Sequence, residues 1–400
     1  MEFFADLHVH SRFSRATAKT LDLENLFVAA AWKGISVVAT GDCLHPAWLD
    51  EIESRLEPAE PGLYRLRPER VRPLADALPA GHGEDVRFLL ETEISNIYKR
   101  DGATRKNHNL VYLPDTAAAR RLHARLDAIG NLNSDGRPIL GLDARDLLEI
   151  VLETTPEAFL VPAHAWTPWF SVFGSKSGFD QLADCFRDLS DEIFAVETGL
   201  SSDAPMNWRI SELDNRALIS NSDAHSTATL GRNANRFNTE RSFPAIRDAL
   251  RDRDPDRCKG TIDLHPEEGK YHMDGHRACG VWLHPTETRR REGRCPACDK
   301  PVTVGVLHRV DALADRPEGE RPPDALPYRY IIPLPEILSE LLHVGPKSKK
   351  VDRRYRSVLN ALGPELPLLL DRPISEIERG DGPELAEAIR RMRAGDVQIT

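Results

Sequence analysis

Close to the N-terminus, the apolar run Phe3-Phe4-Ala5 ends in Asp6-Leu7-His8-Val9-His10. Residues two apart on an extended strand share a face, so Asp6, His8 and His10 project together while Leu7 and Val9 turn to a core. Two imidazoles and a carboxylate on a buried strand suit Zn²⁺, Mn²⁺ or Fe²⁺ better than Ca²⁺. A bare His-x-His fits equally well on the solvent side of a surface strand, so the reading depends on partners elsewhere. Those partners recur in one kind of place. Asp42 and His45 follow the apolar run ending at Ala39, and Glu91 and Glu93 follow Phe88-Leu89-Leu90. His108 lies beside the run Leu110 to Leu113, His164 follows Ala158 to Pro162, and Glu197 follows Ile193 to Val196. Asp223 and His225 follow Ala217 to Ser220.

The elements between these residues explain why they can meet. Leu21 to Lys33 carries apolar residues at helical spacing and stops at Gly34, a C-cap signal; Ile35 to Thr40 then reads as a buried strand. Strand, helix, strand predicts a parallel sheet with right-handed crossovers. About seven such strands over about 240 residues predict a barrel, whose strand C-termini converge on one face. Ligand-type residues at those ends therefore form one site.

Beyond residue 240 the pattern changes to a charged linker at 241 to 256 and an aperiodic stretch at 258 to 273. His276-Arg277-Ala278-Cys279 and Cys295-Pro296-Ala297-Cys298 then pair two short knuckles, a spacing for tetrahedral Zn²⁺ held by His276, Cys279, Cys295 and Cys298. His272, four residues before His276, is an alternative ligand. Four protein ligands close a site, so this zinc is structural. From about 303 the chain reads as helical. Gly345-Pro346 precedes Lys347, Lys349, Lys350, Arg353, Arg354 and Arg356, offering free backbone N–H groups and positive charge to phosphate, or else a solvated basic helix face.

A chain of 400 residues predicts two or three domains. Its net charge of −10 argues against indiscriminate nucleic-acid binding through a global positive field, but leaves local basic patches free to bind DNA. Six cysteines, of which only one pair is tightly spaced, point to metal rather than a disulfide scaffold. With neither a long apolar segment nor a signal-like N-terminus, no membrane contact and a cytoplasmic location are expected.

Together, His8-x-His10, Asp42 with His45, Glu93, His108, His164 and Asp223-x-His225 resemble the ligand set of the polymerase and histidinol phosphatase (PHP) phosphoesterases. More narrowly, Thr40 to Pro46, Thr92 to Ser95, Gly136 to Asp143, Pro162 to His164 with Trp166 to Phe170, and Glu197 to Asp203 are similar to endonuclease Q. The resemblance implies an α/β fold: a distorted (β/α)7 PHP barrel over 1–240, a small zinc-binding subdomain over 241–310 and a C-terminal helical DNA-binding domain over 311–400. It implies a metal-dependent repair enzyme that nicks DNA 5′ to deaminated bases and abasic sites, using two or three divalent metals (Zn, Mn, Mg or Fe) and one structural Zn. Damaged DNA is the expected partner, with replication or repair proteins as candidate contacts. By analogy His8, His10, Glu93 and Asp223 hold one metal, with Glu93 bridging to a second held by His108, His164 and His225. Asp42 and His45 complete the cluster or contact its water, and Asp6 orients an imidazole. Glu93 and Asp223 are the catalytic carboxylates. Many superfamily members place another ligand where this chain has Ser14-Arg15-Ala16, which leaves the metal count open and makes Arg15 a candidate for the scissile phosphate. Trp166, Trp169, Phe170, Ser175 and Lys176 are candidates for a pocket around an extruded base, or for simple loop packing. A phosphomonoesterase acting on a small metabolite and a non-catalytic nucleic-acid-binding module are the competing readings.

Overall fold

The computed structural model describes residues 1–79 and 85–399. Strand β1 (Glu2–Asp6) leads to the helix Leu23–Lys33, whose N-cap Asp22 accepts a hydrogen bond from the Asn25 N–H. Gly34, in the left-handed region at φ 78°, ends that helix as the sequence predicts. Strand β2 (Ile35–Ala39) then pairs parallel with β1. Next come β3 (Leu56–Pro58), β4 (Leu63–Leu66), β5 (Arg87–Arg100) and β6 (Ala103–Leu113), followed by β7 (Ile139–Leu140), β8 (Phe159–Pro162), β9 (Ala195–Glu197), β10 (Ala217–Ile219), β11 (Ala234–Asn238) and β12 (Cys258–Asp263).

Seven strands, β1, β2, β5, β6, β8, β9 and β10, ring a common interior, and the fold is a distorted (β/α)7 barrel. Ladders join β1 to β2, β2 to β5, β5 to β6 and β6 to β8, and a separate parallel pair joins β9 to β10. Isolated hydrogen bonds rather than ladders cross the two gaps, among them Ala165 N–H to Glu197 O at 2.9 Å and Leu7 N–H to Asn221 Oδ1 at 2.9 Å. Phe3, Ala5, Leu7, Val37, Leu89, Leu110, Tyr112, Val161, Ala195 and Ile219 fill the interior. The helices pack outside on a larger apolar layer that includes Phe4, Val38, Leu90 and Val111.

The uniformly parallel sheet predicted from strand-helix-strand order is not what forms. Strands β5 and β6 are long antiparallel arms joined by Asp101-Gly102, both at positive φ (52° and 76°). That geometry is a two-residue hairpin turn whose twist matches the strands it joins. Glu93 therefore sits inside a strand rather than after one, and the register pairs Ser95 with His108 and Glu93 with Leu110. Directly opposed residues share a face, so the hairpin alone puts Glu93 and His108 on one side.

Past the barrel, β12 pairs with β11 and carries the sheet outward to β15 (Tyr328–Tyr330). Between them the hairpin of β13 (Asp274–His276) and β14 (Val281–Leu283) bears the His-Cys knuckle. Helices Leu334–Leu342, Lys349–Leu362, Glu365–Leu370, Ile374–Asp381 and Pro383–Ala394 form the C-terminal part. A buried polar node ties it to the barrel. Lys33 Nζ lies 2.7 Å from Glu365 Oε2, the Tyr355 hydroxyl donates to the same oxygen at 2.6 Å, and the Leu334 N–H donates to Oε1 at 3.0 Å. Removing one member strands a buried charge. Glu365→Ala is expected to weaken docking of the C-terminal helices by about 3 kcal/mol, seen as a lower urea midpoint and earlier release of a C-terminal fragment in limited proteolysis.

Candidate metal centre

Strand β1 stops at Asp6, and beyond it only Val9 makes an isolated bridge, to Ala224. His8 and His10 are fully buried on this irregular segment. Asp6 parts company with them: its carboxylate accepts the Ser222 N–H at 3.1 Å and the Gly231 N–H at 2.9 Å. It pins the loop that carries Asp223 rather than orienting an imidazole.

Two groups of donors assemble side by side. His8, His10 and Asp223 form one, and Glu93, His108 and His164 the other. Glu93 belongs to both neighbourhoods. Its Oε1 lies 2.7 Å from His108 Nδ1 and 3.0 Å from His164 Nε2, while its Oε2 lies 3.4 Å from His10 Nε2 and 3.8 Å from His8 Nε2. Three of the imidazoles are held from behind. His8 Nδ1 donates to Glu197 Oε1 at 3.0 Å, His10 Nδ1 to Asp42 Oδ1 at 3.2 Å, and His164 Nδ1 lies 3.1 Å from Ser171 Oγ. Each Nδ1 contact fixes the ring and turns Nε2 toward the centre, the arrangement that gives a metal-binding histidine its orientation and tautomer.

The residues fit divalent cations. His8 Nε2 is buried without a hydrogen-bond partner among the described residues, so a polar ring nitrogen faces the centre with nothing to satisfy it. Mixed imidazole and carboxylate donors suit zinc, manganese or iron. Backbone strain marks the same place: Asp42, His164 and Asp223 lie at positive φ (49°, 29° and 47°), although none is glycine. Gly199 at φ 76° lets the chain pass behind His164, where a Cβ would stand 2.7 Å from the His164 Cβ.

Charge is balanced by protons. Burial works against the charge on His8, but the fields of Glu197 and Asp223 and the hydrogen bond to Glu197 hold its pKa well above the ordinary value. Burial likewise opposes charge on Glu93, yet His108 and Arg137 keep its carboxyl well below the ordinary range. Burial, aided by His164 and Arg137, lowers His108 to about 4, so that ring supports the Glu93 carboxylate as a neutral donor through Nδ1.

Several sequence candidates fall elsewhere. Asp42 has no oxygen left for a metal, because Oδ1 takes His10 Nδ1 and the Ser14 hydroxyl (2.9 Å) and Oδ2 takes the Ser11 N–H (2.7 Å) and hydroxyl (2.6 Å). His45 stacks on Phe13 with centroids 4.3 Å apart, and its Nε2 donates to Asn133 O at 3.2 Å. His225 stands beside His10, at 4.6 Å between ring centroids, rather than with His108 and His164. Arg15 is a surface residue, its side chain 79% exposed and paired with Asp135 at 3.1 Å. Two residues missing from the sequence-based ligand and catalytic set are central. Glu197 also accepts the His164 N–H at 2.7 Å, and Arg137 Nη1 donates to Glu93 Oε2 at 3.1 Å. Glu197 carried a signal, its strand-end position; Arg137 carried none beyond its place in the Gly136 to Asp143 stretch.

The centre opens into a cleft of about 1540 Å³. Trp169 and Phe170 line it, with Tyr271, Lys347, Lys349 and Arg356 from the later parts of the chain; Lys350 is exposed outside it. Trp169 is 41% exposed and meets Tyr271 edge-on at 6.2 Å. Phe170 packs on the His108 ring at 4.8 Å. Trp166 does not reach the cleft: it is 1% exposed, packed on Phe173, with its Nε1 donating to Asn207 Oδ1 at 2.8 Å. It belongs to the core. Ser175 donates to Val304 O at 3.0 Å, and Lys176 is exposed on the same loop. Ser348, not a bare glycine turn, caps the helix Lys349–Leu362 by accepting the Val351 N–H.

In the small hairpin, donor atoms of His276, Cys279, Cys295 and Cys298 lie within 4.8 Å of one another. His272 is engaged elsewhere, its Nδ1 donating to Ser201 O at 3.0 Å. The cluster fits structural zinc.

An α/β barrel with adjacent imidazole-carboxylate groups, followed by a four-ligand knuckle and a helical C-terminal part, defines a barrel protein with the donor set of a metal centre. The lesion-specific endonuclease PfuEndoQ from Pyrococcus furiosus superposes with a TM-score of 0.84 at 30% identity, over 99% of this chain and 91% of its own. An endonuclease Q solved in complex with a 27-mer duplex substrate, with an abasic lesion at the active site, superposes at 0.86 and 30% identity, over 100% of this chain and 94% of its own. The chain belongs to the endonuclease Q family. Among curated proteins it is 29% identical to the uncharacterized protein YqxK of Bacillus subtilis, over 100% of this chain and 96% of that protein. It is 31% identical over 244 residues to the uncharacterized protein MJ0043 of Methanocaldococcus jannaschii, a match that takes in 59% of this chain and spans only 30% of that relative's length. Residues 333–396 match the model of the MJ0043 C-terminal domain. Among the described residues, no helix is long and apolar enough to cross a membrane.

Without metal, His10 holds a proton: burial opposes it, but hydrogen bonds to Asp223 and Asp42 and their charges raise its pKa to about 10. Metal must displace that proton, so affinity rises with pH below that value, by about tenfold per pH unit for each proton released. Titration calorimetry of Mn²⁺ or Zn²⁺ into metal-stripped protein, in buffers of different ionisation enthalpy, is expected to show this proton release between pH 6 and 9.

Proposed function

We propose that this protein is a metal-dependent DNA repair endonuclease that hydrolyses the phosphodiester 5′ to deaminated bases (uracil, hypoxanthine, xanthine) and to abasic sites. The observation that carries the reading is Glu93, with one oxygen toward each of two imidazole groups, buried beneath a cleft of about 1540 Å³ that His108, His164 and Asp223 line and that has room for a nucleic-acid strand. The endonuclease Q complex with abasic duplex supports it. We assign the work to three regions: 1–240 as the metallophosphoesterase barrel, 241–310 as the zinc-binding subdomain and 311–400 as the helical DNA-binding part.

Bound divalent cations supply an acidified water and relief of charge on the phosphate. His8, His10 and Asp223 would hold one cation and His108 and His164 another, with Glu93 between them. The chain does the rest. Glu197, Asp42 and Ser171 keep three imidazoles aimed inward, so little reorganisation is needed when the phosphate arrives. Arg137, bonded to Glu93 at the edge of the cleft, keeps that carboxylate ionised and adds positive charge where the phosphate lies. Trp169 and Phe170 offer aromatic faces to an extruded base, whose weak pairing at a lesion lowers the energy of flipping. Lys347, Lys349 and Arg356, which line the cleft from the C-terminal helices, suit backbone phosphates.

Incubation with Mn²⁺ or Mg²⁺ and duplexes carrying uracil, hypoxanthine or an abasic site, with a phosphomonoester in parallel, tests the reading. Nicking 5′ to the lesion is expected; phosphomonoester turnover without nicking would refute it. Asp223→Asn is expected to remove nicking by at least about a hundredfold while lesion binding, measured by fluorescence anisotropy, stays within a few-fold. Trp169→Ala is expected to lower the cutting ratio of uracil-containing over plain duplex by about tenfold, the scale of one lost base stack; an unchanged ratio removes Trp169 from the pocket.

A further inference from the structure

Arg232 is the cleft residue that the metal centre leaves unexplained. It follows Gly231 at the end of the loop that begins with Asp223, and its side chain is half-buried in the cleft wall. Its Nε donates to Ser222 O at 2.8 Å, which fixes the guanidinium beside the peptide preceding Asp223. Among the described residues, no carboxylate lies within ion-pair distance of it, and its two terminal nitrogens make no hydrogen bond. Other half-buried arginines have a terminal nitrogen engaged: Arg137 with Glu93 at 3.1 Å, Arg209 with Asp311 at 2.6 Å and Arg316 with Asp214 at 2.6 Å, while Arg105, Arg253 and Arg393 donate to the carbonyls of Gly178, Asp214 and Leu368. The acids nearest Arg232 are committed, Asp6 to Ser222 and Gly231 and Asp223 to His10. Burial without a close counter-charge pushes the guanidinium's pKa down, although the group remains a cation. Cations at Asp223 would use that carboxylate's field and leave Arg232 still less compensated.

A half-buried cation with a free planar fork, anchored through its third nitrogen and facing a cleft, is built for a tetrahedral oxyanion. We propose that Arg232 is a phosphate-binding residue, its fork receiving a backbone phosphate of the DNA strand laid across the metal centre. The proposal rests on the nuclease reading above and adds a subsite to it. Because the contact forms on binding and does not depend on charge developing at the cut bond, its loss falls mainly on KM.

Arg232→Gln keeps a donor for Ser222 O and removes the charge; Arg232→Lys keeps the charge and removes the fork. Abasic-duplex binding is measured by anisotropy in the Asp223→Asn background, and KM in the active chain, each from about 50 to about 200 mM salt. Melting temperature and zinc content serve as folding controls. Arg232→Gln is expected to weaken binding and raise KM about tenfold, and to flatten the slope of log K against log salt by about 0.9, the value of one phosphate contact. Arg232→Lys is expected to recover the slope but only part of the affinity. Wild-type affinity and slope in Arg232→Gln overturns the assignment, and so does weaker binding with an unchanged slope, which marks a merely structural loss. Wild-type protein that neither binds nor nicks any lesion duplex overturns the nuclease reading itself, and this subsite with it.

Discussion

Glu93 is buried at 1% exposure between two sets of imidazoles, and the rest of the site is arranged to make that burial tolerable. An isolated carboxylate in such a place would take up a proton. Here His108, Arg137 and His164 surround it and keep it ionised, so that both oxygens stay available. The register of β5 against β6 sets where Glu93 stands relative to His108. Glu197 and Asp42 stand one layer further out, each holding an imidazole by the nitrogen that faces away from the centre. Strained backbone at Asp42, His164 and Asp223 is the local consequence of forcing these groups together.

The same logic extends across the cleft. A protein of net charge −10 presents Lys347, Lys349, Arg356, Arg137 and Arg232 toward one opening. The sign of the whole molecule therefore says little about its ligand; the local field decides. Lys347, Lys349 and Arg356 reach that opening because the C-terminal helices are docked, and the buried Lys33, Glu365 and Tyr355 node holds them against the barrel helix Leu23–Lys33. Sheet continuity through β12 to β15 gives a second mechanical link. Metal centre and basic wall are thus joined by packing and by a shared sheet.

Much of the fold could be read before any coordinates. The helix ending at Gly34, the strands at 35, 159, 195 and 217 and the zinc knuckle follow from periodicity, capping and ligand spacing, which are local properties. The long antiparallel hairpin was missed, although Asp101-Gly102 is the dipeptide that a two-residue turn requires. Residues of one type then had to be told apart, and there local reasoning ran out. Arg15 and Arg137 look alike in the chain, but one pairs with Asp135 at the surface and the other reaches Glu93. Trp166 and Trp169 lie three positions apart, and only the second faces the cleft. Asp42 and Glu93 both follow or interrupt apolar runs near the site, yet hydroxyls and a backbone N–H saturate Asp42 while imidazoles surround Glu93.

By itself the sequence determined the inventory: a barrel-forming order of strands and helices, a set of imidazoles and carboxylates near strand ends, a four-ligand zinc knuckle and a basic helix. These depend on residue type and on separations of a few positions, so the chain records them directly. Only the tertiary structure decided which carboxylate stands between the two imidazole groups, which stand behind, and which cations face the cleft. Those roles are set by strand register and by contacts between residues more than 200 positions apart, such as the Leu7 N–H with Asn221, 214 positions on, and the Asp6 carboxylate with the Gly231 N–H, 225 positions on. No local pattern records a distance of that kind.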